Sequence, residues 1–148
     1  MPFRGRLAEL LAADGRPEEG LLASAEYLER TKATDAFWLL PDALRIHGDV
    51  LAALEGFDSR SAEAHLRESI ELCIQQGALG WELRSAESLT NFLWQRGQNE
   101  EATALLEGTL RKFSEGFETV PFRRAKTMLD KLRGTAASKQ TPRSSARF

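Results

Sequence analysis

The sequence is short of the residue types on which catalysis and metal binding most often rest. Its 148 residues include one cysteine, two histidines, two methionines and one tyrosine. A lone Cys73 excludes an internal disulfide, which agrees with a reducing compartment and points to the cytoplasm. His47 and His65 lie on different helical segments without the local spacing of a zinc motif, and one cysteine cannot supply the missing ligands, so no metal site is expected. The longest apolar runs, such as Phe37 to Leu40, fall far short of the roughly 20 residues that cross a bilayer, which argues against a membrane protein. The opening MPFRGRLAELLAADGR has basic residues but neither an apolar core nor a small-residue cleavage site, so no secretion signal is read there. No G-x-x-x-x-G-K-[ST] phosphate loop occurs. Sustained apolar–polar alternation, the mark of a half-buried strand, is missing too.

Charge is plentiful but unevenly spread. Of the 20 basic residues, Lys139, Arg143 and Arg147 follow Gly134 with no acid among them, which leaves 17 basic against 22 acidic groups in the first 134 residues. An acidic body is a poor match for a phosphate backbone, because nucleic-acid affinity comes largely from cations displacing condensed counterions. Nucleic acid is therefore not an expected partner.

Apolar residues recur at helical spacing, so the chain reads as all-α. Ala62, Leu66, Ile70, Cys73 and Ile74 form one stripe, and Ala102, Leu105, Leu106, Thr109, Leu110 and Phe113 another. Breakers divide the chain into helices near 4–14, 17–32, from between Asp35 and Pro41 to Leu54, 59–76 and 81–96, with another after Gly97. Ser59 or Ser61 is expected to cap the fourth. Thr119 and Pro121 suit the start of a last helix whose face is Phe122, Ala125, Met128, Leu129 and Leu132. Beyond it GTAASKQTPRSSARF carries one large apolar residue, too little burial to offset about 1–2 kcal/mol of backbone entropy per ordered residue. The expected organisation is one helical domain over 1–133 and an unstructured tail over 134–148.

One phrase is written twice: GRPEEG at 15–20 returns as GQNEEA at 97–102. The pairing places Gly15 on Gly97 and Gly20 on Ala102. SAEAHL supplies an intermediate copy with Ala62 in the equivalent place, giving spacings of 42 and 40 residues. Recurrence at 20–50 residues marks a supersecondary unit that stacks on its own copies. Each unit reads as a helical hairpin in which a small residue early in the second helix lets it approach the first; Gly48 is expected to serve the same purpose from a first helix.

The order Leu7, Ala8, Leu11, Gly15, Gly20, and again Leu89, Leu93, Gly97, Ala102, Leu106, resembles the tetratricopeptide repeat. Ser24 and Tyr27 depart from its second-helix pattern, the middle turn is about two residues longer, and the units exceed the usual 34. Read in order, FWLLPDALRIHGDVL, QQGALGWELRSAESLTNFLWQRGQNEEATALL and FSEGFETVPFRRAKTMLDKL resemble the C-terminal helical-repeat region of large bacterial ATPase signalling proteins linked to a cyclase or winged-helix domain. That likeness covers about residues 7–133. It implies an α-solenoid of about three antiparallel hairpins plus a closing helix; nucleotide hydrolysis does not carry over without the phosphate loop.

If tetratricopeptide geometry holds, the first helices line a concave surface presenting Asp42, Arg45, Asp49, Arg84, Glu87, Asn91, Trp94 and Gln95. A groove of mixed sign suits a peptide better than a polyanion. The bland alternative is a groove that is merely solvated. Other candidates have structural readings: Glu18–Glu19 and Glu100–Glu101 sit where a helix dipole favours negative charge, Cys73 reads as a core thiol, and Trp38, Trp81 and Trp94 read as hairpin packing. In the longer relatives more repeats precede this segment, so Phe3, Leu7, Leu10 and Leu11 are expected to be exposed here and to favour a homodimer. No cofactor, metal or catalytic constellation is expected. The sequence reads first as a non-catalytic protein-interaction module, second as a truncated or separately encoded regulatory or oligomerisation end of a bacterial ATPase-type signalling or transcriptional regulator, and third as an enzyme of unrecognised kind.

Overall fold

Glycine closes three of the helices with one backbone device. At Gly15, Gly77 and Gly97 the chain takes φ of 66° to 76°, a left-handed conformation in which a side chain would be strained. The following amide then reaches back to the helix: Arg16 N–H to the Leu11 carbonyl, Ala78 N–H to Cys73 and Gln98 N–H to Leu93, each at 2.9 Å. The two copies of the repeated phrase therefore make the same turn, bond for bond.

The computed structural model describes residues 2–56 and 58–140. Among them are seven α-helices: α1 (Pro2–Ala13), α2 (Pro17–Ala33), α3 (Leu40–Ala53), α4 (Ser59–Gln76), α5 (Leu79–Gln95), α6 (Asn99–Leu110) and α7 (Val120–Gln140). No strand is present among the described residues. A 3-10 turn over Phe37–Leu39 leads into α3, and Pro41 lies in the first turn of α3, where its missing N–H costs nothing. Two boundaries differ from expectation. Asp58, not Ser59 or Ser61, caps α4 by accepting from Arg60 N–H at 3.0 Å. The last helix continues past Arg133 to Gln140, with the Thr135 and Ser138 hydroxyls bonded back to the Lys131 and Gly134 carbonyls; TAASKQ contains no helix breaker before Pro142. The rest of the expected tail, 141–148, lies outside the described residues.

Each helix packs on the next in sequence, and α1, α3, α5 and α7 also touch one another in series. The odd helices thus form a row against which α2, α4 and α6 pack. Small residues set the close approaches. A Cβ on Gly20 would lie 3.0 Å from the Ala8 carbonyl, and one on Gly48 would lie 2.9 Å from Leu66 Cγ and 3.2 Å from the Ala62 carbonyl. Ala62 and Ala102, the equivalents of Gly20, are fully buried. The departures Ser24 and Tyr27 are core residues as well; Tyr27 lies where a Cβ on Gly5 would meet its ring at 2.8 Å.

One apolar cluster joins α1, α2 and α3 around Ala8, Leu28, Leu44 and Val50. A larger one runs through α4, α5, α6 and α7 around Leu66, Leu89, Leu93, Leu106 and Leu132. The α4 stripe is buried through Cys73 but leaves Ile74 exposed. Buried hydroxyls tie α3, α4 and α5 together: Ser69 donates to the Pro41 carbonyl at 2.6 Å and lies 2.8 Å from Ser85 Oγ. No described helix is long and apolar enough to cross a membrane.

Candidate functional site

Arg45 sits at the junction of α1, α3 and α5 with only 5% of its side chain exposed. Its guanidinium reaches three carboxylates: Glu9 at 2.8 Å, Asp42 at 2.9 Å and Asp49 at 3.1 Å. Asp42 and Asp49 flank Arg45 at i−3 and i+4 on α3, so the helical period delivers both, while Glu9 comes across from α1. Burial works against the positive charge, but the neighbouring carboxylates outweigh it and the Arg45 pKa is raised. The sequence placed Asp42 and Arg45 on a binding surface; the structure makes them a buried clamp between helices. Each of the three carboxylates shares the one guanidinium, and that pairing is what lets Arg45 be kept out of water.

The clamp continues along the row. Ser88 on α5 donates to Asp49 Oδ2 at 2.9 Å, the same oxygen that accepts from Arg45. No donor among the described residues reaches Asp49 Oδ1. Burial pushes the Asp49 carboxyl from 3.8 up to about 6 against the pull of Arg45, although 38% of the side-chain surface still meets solvent. The carboxyl lies deep in a concavity yet open at one edge. Further along, Arg124 of α7 grips Glu87 of α5 with two bonds, of 2.8 and 3.3 Å. Polar ties thus connect all four odd helices.

Between α3, α5 and α7 these ties frame a concave pocket of about 490 Å³. Asp49, Ser88, Asn91 and Gln95 present polar atoms to it, with Glu87 at its side and Ala52, Ala53, Phe92 and Met128 as apolar lining. Of the residues expected on the groove, Asp49, Glu87, Asn91 and Gln95 come together here. Arg84 stands apart, stacked over the Trp81 ring at 5.9 Å and 3.8 Å from Glu9. Trp94 is not part of the lining; it is partly buried against the larger core cluster. Ser88 and Met128 were missed. Ser88 was legible as a position one turn from both Arg84 and Asn91, whereas Met128 reads in sequence only as part of the core stripe of α7.

The remaining candidates fall out variously. Trp38, in the 3-10 turn before α3, and Trp81, in the first turn of α5, are exposed rather than packed within hairpins. Cys73 is buried, and burial raises its thiol pKa. Glu18 and Glu19 open α2 and Glu100 and Glu101 open α6, as the dipole argument requires. Phe3, Leu7 and Leu10 are exposed, Phe3 at 88%, while Leu11 is half-covered; Leu22 of α2, at 74%, extends that patch. The two histidines, distant in sequence, meet across α3 and α4 with ring centres 5.0 Å apart and planes at 73°. No group of three or more histidine, cysteine or acidic side chains suited to a metal ion occurs among the described residues.

The fold and pocket define an all-α protein of serially packed helices with a polar concavity on its odd-numbered row. The chain matches no protein-family model, no curated protein and no solved structure.

Proposed function

We propose that the chain is a protein-interaction module of tetratricopeptide-like build, in which the concavity between α3, α5 and α7 holds a segment of a partner protein without performing chemistry on it. The observation that carries this reading is the pocket itself: Ser88, Asn91 and Gln95 follow one another at helical spacing on α5 beside the Asp49 carboxyl. Amide, hydroxyl and carboxylate groups in such a row can match the main-chain donors and acceptors of a bound peptide, and Phe92 and Met128 offer an apolar floor for one of its side chains. Met128 is an unbranched thioether that adapts its shape to different occupants. Action in the cytoplasm accords with the single buried thiol.

Selection from a random-peptide display library on the full chain tests the reading. Enriched peptides are expected to lose at least tenfold in affinity for Asn91→Arg and to bind Ala104→Arg, altered on exposed α6, like the parent. Failure to enrich any peptide, or equal loss in both variants, overturns it.

A second reading, a regulatory or oligomerisation end of a bacterial ATPase signalling protein, draws support from the apolar end formed by Phe3, Leu7, Leu10 and Leu22. Light scattering decides whether that end pairs: a dimer that Leu7→Glu with Leu22→Glu converts to monomer supports it, and a monomer at high micromolar concentration counts against it.

A further inference from the structure

The histidine pair lies outside the groove and outside the Arg45 clamp, and each ring holds an oxygen partner at Nδ1. His65 Nδ1 is 2.7 Å from the Ser61 carbonyl, which can only accept, so Nδ1 carries the proton. His47 Nδ1 is 2.9 Å from Ser24 Oγ. When the Ser24 hydroxyl donates to the Leu21 carbonyl at 3.0 Å, its oxygen is free to accept from His47 Nδ1–H. His65 therefore keeps a lone pair on Nε2, and His47 keeps one in the tautomer that donates to Ser24. No protein donor among the described residues reaches either Nε2, and neither atom is sealed from water.

We propose that His47 and His65 together form a two-ligand site for a borderline divalent transition ion of the Zn²⁺ or Cu²⁺ class, bridging α3 and α4. Three physical arguments support it. Neutral imidazole is the ligand these ions prefer, and the chain brings its two imidazoles together across α3 and α4. Metal-bound histidines characteristically donate their other ring N–H to an oxygen acceptor; His65 already does so to the Ser61 carbonyl, and Ser24 Oγ stands 2.9 Å from His47 Nδ1 to accept in the same way. Two imidazoles bound at 2.0–2.1 Å to one tetrahedral ion place their ring centres about 5 Å apart, the separation found here. The charged groups acting on His47 are Glu29 and Lys32 of α2, which lie 3.7 Å from each other, so the Lys32 charge is met by its neighbour. Water fills the remaining coordination positions. The ion would join the two helices of the middle hairpin, the one with the longest turn.

Because the chain contains only two histidines, the wild-type protein itself supplies the test. In tag-free full-length protein at pH 7.5, substoichiometric Cu²⁺ is expected to broaden both imidazole Hε1 resonances together before any other side-chain signal. Zn²⁺ titrated calorimetrically is expected to bind one per chain with micromolar affinity, weakened at least tenfold in His47→Gln and in His65→Gln. If Cu²⁺ broadens only one imidazole or neither, or if Zn²⁺ binds equally to both variants, the pair is a ring-packing contact and the proposal fails.

Discussion

Truncating Arg45 would take the shared cation from three carboxylates in one step, leaving Glu9 with Arg6 and Arg84 at 3.6 and 3.8 Å and Asp49 with Ser88. Glu9, Asp42 and Asp49 all look to the same guanidinium, and a buried ion pair is far more damaging to break than it is beneficial to have. Arg45→Met is expected to lower unfolding free energy by about 3 kcal/mol, and Arg45→Lys to recover little of it, because an ammonium cannot fork between several acceptors. Urea denaturation of the three proteins measures both. Asp49 adds a dependence on pH. Its carboxyl titrates at about 6 in the fold and at about 3.9 in an unfolded chain, so on raising the pH the unfolded state releases its proton first. The stability that protonated Asp49 contributes is complete below about pH 4 and is lost as pH rises through about 6. Asp49→Asn, which keeps an acceptor for Ser88, is expected to remove that slope, by on the order of 1 kcal/mol after solvent screening of a partly open group. An identical pH profile in parent and variant would refute the assignment. Some of this was legible in the sequence: Asp42 and Asp49 stand at i−3 and i+4 from Arg45. Glu9 was not, because 36 residues separate it from Arg45 and only the packing of α1 on α3 joins them. The histidine pair was hidden for the same reason.

Within the helical elements, glycines separate contact from mere presence. Gly48 lies against Leu66 and the Ala62 carbonyl, whereas Gly108 on α6 has open space where a Cβ would stand. Both are helical, so alanine gains about 1 kcal/mol of propensity at either site. At Gly48 overpacking, typically costing about 1–3 kcal/mol, opposes that gain. Gly48→Ala is therefore expected to lower the melting temperature and Gly108→Ala to raise it by a few degrees; thermal denaturation reads both, and a rise for both would show that α3 and α4 do not meet at Gly48. Turns that glycine closes were legible because the device is local: Gly15 and Gly97 needed only their own helix ends. The cap of α4 was misread among neighbouring candidates, since Asp58, Ser59 and Ser61 have similar capping preference and only the path of the chain selects one. The extension of α7 to Gln140 is not legible in apolar content, because what carries it is the absence of a helix breaker between Gly134 and Pro142.

Across the whole molecule, the all-helical class and the hairpin order were carried by periodicity and by the repeated phrase. The pocket was half legible. Asn91, Gln95, Glu87 and Asp49 follow from helical spacing once a concave row is assumed, but Trp94 turns toward the core and Met128 enters from α7, whose distance in sequence hides its place. If a partner segment lies in the concavity, Met128 is the side chain that must feel it. The chain holds one other methionine, Met1, so methyl-13C-methionine labelling reduces the question to two resonances. Titration with a peptide selected on the full chain should shift or broaden the Met128 methyl signal in proportion to occupancy and leave that of Met1 in place. A peptide that binds by calorimetry while the Met128 signal stays unmoved would contradict the groove as the binding surface.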